Sequence, residues 1–252
     1  MIDAPKCCLD TSYDKSLIRL DVFLRQAGIG NRNTIRTMAQ AGRISLDGKP
    51  IYDSSYRLNQ KSIVSVDGQP IASHQKVTLM LNKPKGTVCT ASAQEENSVF
   101  LILPEAYRHL FSIGRLDRDT TGLLLFTNDG VLCRSVIDPL NRIKKEYEVT
   151  VTQPFPPDAG RRFAEGIELE SGAKCLPAEF FPHEDGMSAD IRICEGKRHQ
   201  IKRMVAALGT RVHSLRRTAI GNLRLPKQMK TGTWKILSDE EIQSIFDNSD
   251  LK

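Results

Sequence analysis

Two carboxylates, Asp117 and Asp119, are interleaved with Arg115 and Arg118 in the segment Phe111-Ser-Ile-Gly-Arg-Leu-Asp-Arg-Asp-Thr-Thr-Gly-Leu-Leu-Leu-Phe126. Neighbouring positive charge keeps a carboxylate ionised at neutral pH, and an ionised carboxylate can serve as a nucleophile. By residue type three readings compete: an Asp-x-Asp metal site, a two-carboxylate glycosidase site, and a turn whose acids pair with arginine. Asp and Thr are ordinary turn residues, so spacing alone favours structure over catalysis. A glycoside hydrolase is disfavoured because its two acids flank the scissile bond roughly 5–9 Å apart, usually from separate elements. His74, His109, His183 and His213 show no ligand spacing, and the six cysteines contain no C-x-x-C pair, so no metal site is expected.

The segment opens into Gly122–Phe126, a short apolar run of strand length, as is Val77–Leu81; Glu146–Thr152 and Asp190–Cys194 alternate. A mixed sheet is expected. Pro157–Gly166 reads as a helix with proline in its first turn, Ile201, Met204, Val205 and Leu208 form the apolar stripe of another, and Ser238–Glu241 is a capping box opening a last one. Nearer the amino terminus, Leu17, Leu20 and Leu24 predict a short amphipathic helix stopped by Gly28. A second follows, capped by Asn33 or Thr34 and closed by Gly42. Two β-rich segments then each run into an Asp-Gly turn, at Asp47-Gly48 and Asp67-Gly68.

With 252 residues, 40% hydrophobic and 26% charged, the chain has the composition of a folded protein rather than a disordered one. The expected organisation is α+β: a loose tail over 1–16, a small α+β module over 17–72, a linker over 73–76, and a larger, mainly antiparallel domain with flanking helices over 77–247. No apolar run approaches the ~20 residues that span a bilayer, and the amino terminus lacks a secretory pattern, so a cytoplasmic protein with reduced thiols is expected. Lys and Arg number 36 against 30 Asp and Glu, a net charge of +6. Residues 17–72 carry eight of these cations and four acids, most of the surplus. Arg32 and Arg36 lie four apart on one helix face, suited to a phosphate backbone, although two arginines alone are more simply a solvated face.

Gly114-Arg-Leu-Asp-Arg-Asp-Thr-Thr-Gly122 resembles the signature motif of the pseudouridine synthases of the ribosomal small-subunit family. Leu81-Asn-Lys-Pro-Lys-Gly86 resembles that family's first motif, Lys145-Glu-Tyr147 its tyrosine-bearing strand, and Glu195-Gly-Lys-Arg-His-Gln-Ile-Lys-Arg-Met204 its last. Residues 17–72 resemble the S4 RNA-binding module that precedes the catalytic domain.

The resemblance implies isomerisation of uridine to pseudouridine in ribosomal RNA, which needs no cofactor. It makes Asp117 the catalytic carboxylate, attacking the sugar or deprotonating it to a glycal. Lys202 is its basic partner, with Arg203 beside it. Tyr147 would stack on the base and assist removal of the C5 proton, and Ile201 would pack against the pyrimidine while belonging to the core. The glycosidic carbon is out of reach in stacked RNA, so the target is extruded, and Arg115 would fill the gap or hold the phosphate. His199 would cap the helix or touch a phosphate, and Asp119 would fix the turn through Thr120 and Thr121. Arg19, Arg32, Arg36 and Arg43 would hold RNA from the S4-like module. Arg198-His199-Gln200 looks more like the small-subunit branch of the family than the large-subunit branch, implying uridine 516 of 16S rRNA in a small-subunit assembly intermediate, bound by a monomer. A 23S rRNA enzyme of the same family, and a non-catalytic S4-type assembly factor, are the competing readings. The presence of Asp117, Tyr147 and Lys202 argues against the latter.

Overall fold

The computed structural model describes residues 18–59, 62–71, 76–92 and 94–247. The expected tail over 1–16, Leu17, and the expected linker except Lys76 lie outside the described residues. The chain forms two compact units that divide between residues 74 and 75.

In the first unit, β1 (Ile18–Arg19) leads into α1 (Leu20–Gln26) and α2 (Arg32–Gln40), followed by β2 (Ile44–Leu46), β3 (Lys49–Pro50), β4 (Arg57–Leu58), β5 (Val64–Val66) and β6 (Gln69–Pro70). The predicted first helix begins late, because Ile18 and Arg19 pair with Leu58 and Arg57 as a two-stranded ladder. The N–H groups of Leu20 and Asp21 are then taken by the Tyr56 and Ser54 carbonyls. The cap of α2 also differs from expectation. Asn31, not Asn33 or Thr34, is the N-cap, its side chain accepting from the N–H of both those residues; all three types cap well, and the one whose oxygen reaches two orphan amides sets the start. Leu20 and Leu24 of α1 and Ile35, Met38 and Ala39 of α2 bury together over Ile44, Leu58, Val64 and Val66. Both Asp-Gly pairs turn with positive φ at both residues, joining β2 to β3 and β5 to β6 as two-residue hairpins.

The second unit contains β7 (Thr78–Lys83), β8 (Phe111–Ile113), β9 (Thr121–Thr127), α3 (Gly130–Ile137), β10 (Lys145–Val151), α4 (Ala159–Glu165), β11 (Glu179–Pro182), β12 (Ser188–Ile193), α5 (Gln200–Ala207), β13 (Val212–Ile220), β14 (Leu223–Arg224), β15 (Trp234–Ile236) and α6 (Asp239–Gln243). Its sheet runs β11-β12-β10-β13-β9-β7-β15, with β14 beside β13 and β8 beside β9. The ladders are antiparallel except between β9 and β13. The apolar run of β9 is continuous because both its faces are covered: Leu123 and Leu125 pack with Met80, Val136 and Ile220, whereas Leu124 and Phe126 pack with Leu79, Leu81 and Phe100. Pro157 precedes α4 rather than occupying its first turn, with Asp158 at the N-cap. The capping box at Ser238 and Glu241 is present.

Gly122 governs the parallel crossing. It pairs with Arg217 at φ +100°, and a Cβ there would lie 2.2 Å from the Arg217 carbonyl oxygen, so the final glycine of the signature segment lets β9 and β13 approach.

Candidate active site

Asp117 stands on the loop between β8 and β9, and that loop is fastened from several sides. The Thr120 N–H donates to the Asp117 carbonyl at 3.1 Å. The turn after β7 exchanges bonds with it: the Gly86 N–H donates to the Arg118 carbonyl at 2.7 Å, and Arg118 Nε donates back to the Gly86 carbonyl at 3.2 Å. Lys83, wholly buried, donates from Nζ to the carbonyls of Thr120 at 2.9 Å and Pro84 at 3.1 Å. Cys89 Sγ meets both the N–H and the carbonyl of Leu116 at 3.4 Å. A loop pinned on both sides of one carboxylate holds that group in place without relying on its own side-chain bonds.

Lys202 of α5 reaches across to this loop. Its Nζ lies 3.1 Å from Asp117 Oδ2 and 2.5 Å from Asp119 Oδ1. The pairing with Asp117 agrees with the reading of the sequence; that with Asp119 revises it, since Asp119 binds Lys202, the turn is closed by the Asp117 backbone, and the Thr120 hydroxyl is buried without a partner. Burial pulls the Lys202 ammonium down, but the hydrogen bonds it donates to the two aspartates outweigh this and raise its pKa. Burial pushes Asp119 up, and the contact with Lys202 more than reverses this. His199 Nε2 lies 3.4 Å from Asp117 Oδ1; His199 occupies the N-cap position of α5 in a left-handed conformation, with no side-chain capping bond, so it faces the carboxylate instead.

Below Asp117 is a cavity of about 150 Å³. Tyr147, Ile201, His199 and Arg115 line it together with Asp117, and Ile113, Ile193, Leu215 and Ile220 supply apolar wall. Tyr147 is half-buried and Arg115 exposed. Arg203 is not brought to this cavity; its guanidinium donates to Ser171 Oγ at 2.7 Å. The last motif is knit to itself: Glu195 accepts from Lys197, Gln200 and the Leu176 N–H, which sets the start of α5 and thereby Ile201 and Lys202.

In the first unit, Arg19 and Arg32 both bind the buried Asp21, at 2.9 and 3.0 Å. Burial raises Asp21, but the two arginines dominate and its pKa is lowered. Arg43 pairs with Asp67 at 2.5 Å, while Arg36 is exposed. Of the four arginines singled out, three are engaged within the unit. Among the described residues no group of His, Cys, Asp and Glu is arranged to hold a metal ion, and no helix is long and apolar enough to cross a membrane.

Lys83 lies in the segment that resembles the family's first motif, and its buried ammonium braces the Asp117 loop through the Thr120 carbonyl. Two site features escape sequence reading: Lys145 and Arg217 also line the cavity, and the sequence attaches no role of its own to either. A lysine two residues before the aromatic of Lys145-Glu-Tyr147, hence on its face, was the available signal.

Residues 77–207 match a family model described as RNA pseudouridylate synthase, and residues 18–64 match the S4 domain. The chain is 35% identical over 231 residues to ribosomal small subunit pseudouridine synthase A of Salmonella typhimurium, covering 90% of this chain and all of that protein. It is 33% identical over 231 residues to the protein of the same name from Escherichia coli, with the same coverage, and 33% identical to the uncharacterized RNA pseudouridine synthase YtzG of Bacillus subtilis, covering 89% and 97%. A crystal structure of a pseudouridylate synthase superposes with a TM-score of 0.67 at 29% identity, covering 90% of this chain and 99% of that one.

Proposed function

From the premise that this chain belongs to the RNA pseudouridylate synthase family, enzymes that isomerise uridine in RNA, we propose that its substrate is ribosomal RNA, at uridine 516 of 16S rRNA within a small-subunit assembly intermediate. Asp117 is the carboxylate that acts on the sugar. The observation carrying this reading is a carboxylate clamped by Lys202 at 3.1 Å over an apolar cavity with an aromatic wall. The small-subunit choice is supported by the names of the relatives from Salmonella typhimurium and Escherichia coli and by Arg198-His199-Gln200.

In this reading the extruded uracil enters the cavity between Tyr147 and Ile201, with Arg115 at the mouth against the displaced strand. The N1–C1′ bond breaks with its electron pair passing to the base. Asp117 either bonds to C1′ or takes the C2′ proton to leave a glycal. The base turns and its C5 carbon bonds to C1′ as the Asp117–C1′ ester bond breaks, or, in the glycal route, as Asp117 returns the proton to C2′; the C5 proton is then lost with help from Tyr147, and N1 takes up a proton. Lys202 keeps Asp117 ionised and oriented, and His199 holds its second oxygen. Arg203 acts at a distance from the cavity, on the RNA outside it. The first unit holds the RNA by its backbone, with Arg36 as the cation most free to do so and Arg19, Arg32 and Arg43 flanking it. The protein works in the cytoplasm as a monomer, without a cofactor.

The test is to incubate the purified protein with unmodified 16S and 23S transcripts, and with 16S RNA bound to small-subunit proteins, mapping pseudouridine by carbodiimide labelling and primer extension. A new stop at uridine 516 that is absent with Asp117→Asn is the expected result. A stop in 23S RNA alone would move the substrate to the large subunit. Tight binding without a stop in any RNA would favour an assembly factor.

A further inference from the structure

The cavity wall carries positive charge that the clamp around Asp117 does not use. Lys145 of β10 and Arg217 of β13 both line it, on adjacent strands in which Tyr147 is the register partner of Arg217. Arg217 is only 4% exposed. Its Nε donates to the Leu123 carbonyl at 2.8 Å, and its Nη2 is buried without a partner. Lys145 donates to the Val136 carbonyl at 3.0 Å.

Neither cation has a carboxylate partner among the described residues. The two acids lining the cavity are committed elsewhere, Asp117 to Lys202 and Glu195 to Lys197. Burial, and then the neighbouring guanidinium of Arg217, pull the Lys145 ammonium down, with Cys194 acting weakly the other way. Placing a buried guanidinium beside a half-buried ammonium without counter-charge is costly, and a pocket that keeps them is complementary to negative charge arriving with a ligand. Uracil brings none in its ground state. It acquires a full negative charge, spread over N1, O2 and O4, when the N1–C1′ pair passes to the ring, and donors fixed in advance where charge develops stabilise the transition state more than the substrate.

We propose that Lys145 and Arg217 form a cationic floor that contacts the carbonyl oxygens of the target uracil and holds the charge of the departing base. The proposal rests on the functional reading above, that the cavity receives uracil. The charge is transient: when C5 bonds to C1′ the electron pair returns to the new bond and the floor is again without an anion.

Two free bases test this without RNA and without chemistry. 5-Nitrouracil, which is anionic at neutral pH, and uracil, which is neutral, are titrated calorimetrically into the full-length protein. The nitro compound is expected to bind about tenfold more tightly, roughly 1.4 kcal/mol, and the preference to fall to about twofold or less in Lys145→Met and Arg217→Gln. Equal affinity of the wild-type protein for both bases would overturn the cationic floor while leaving the uracil pocket standing. Failure of both bases to bind would overturn the pocket reading and the floor with it. Turnover supplies the second arm: on RNA that the wild-type protein modifies, Lys145→Met should lower kcat by about 10²-fold with KM for RNA unchanged, and Lys145→Arg should restore most of it. An arginine variant as slow as the methionine variant would overturn the role of charge at Lys145, and the wild-type comparison does not depend on either variant folding.

Discussion

One lysine shared by two carboxylates is a different device from an isolated ion pair. Lys202 pairs with Asp117 and Asp119 at once, so Lys202→Met should leave the two acids without the cation between them, and kcat should fall by about 10²-fold or more while Lys202→Arg retains part of it, read in a tritium-release assay. Asp119→Asn should cost less than Asp117→Asn, because it loosens the clamp without removing the carboxylate proposed to react. If Lys145 holds the departing base as proposed, activity should fall above about pH 8, because burial first and Arg217 second lower its pKa to about 8. Its folded pKa lies below its unfolded one, so the unfolded chain holds more protons between about pH 8 and the ordinary lysine range, and the charged side chain opposes folding below that window and ceases to as pH rises through it. Lys145→Met should therefore stabilise the protein at pH 7 by up to about 3 kcal/mol in urea titrations. The same change should remove the fall in kcat above about pH 8 along with most of the activity. A side chain that costs stability and is needed for turnover is the pattern expected of a working site.

Gly122 links two elements that the site requires to be close. At φ +100° and 2.2 Å from a backbone oxygen, a methyl group has no place unless β9 and β13 separate, so Gly122→Ala should cost at least ~3 kcal/mol and lower Tm by several degrees. Strand separation would move the Asp117 loop and Arg217 together, and activity should fall further than the loss of folded protein explains. The elements themselves were largely legible, because their signals are local: apolar period, caps and Asp-Gly turns. The misplacements have local competitors as their cause. Ile18 and Arg19 are helix-compatible but are captured by β4, and Asn31 outcompetes two equally suitable caps.

Over the whole molecule, the net charge of +6 supports attraction to RNA but does not say which cations touch it. The arginines of the first unit separate into structural and available ones. Arg36→Ala should reduce the slope of log affinity against log salt by about 0.7–0.9, the loss of one phosphate contact, with stability unchanged. Arg32→Ala should cost about 1 kcal/mol of stability in urea, since it strips one partner from buried Asp21. A filter-binding salt series and a denaturation curve distinguish these outcomes.

Residue types in order were enough to recognise the family, the α+β class and the Asp117–Lys202 partnership, because motif spacing and periodicity are written along the chain. They were not enough for the carbonyls that Lys83 braces, for Lys145 and Arg217 at the cavity, or for the second hold of Lys202 on Asp119. Those depend on which strands become neighbours, and the ladder of β9 with β13 pairs Gly122 with Arg217, residues far apart in the chain. Whether a cation is solvated, buried to brace a loop, or buried to await an anion is set by its surroundings after folding, and the amino-acid letter is the same in all three cases.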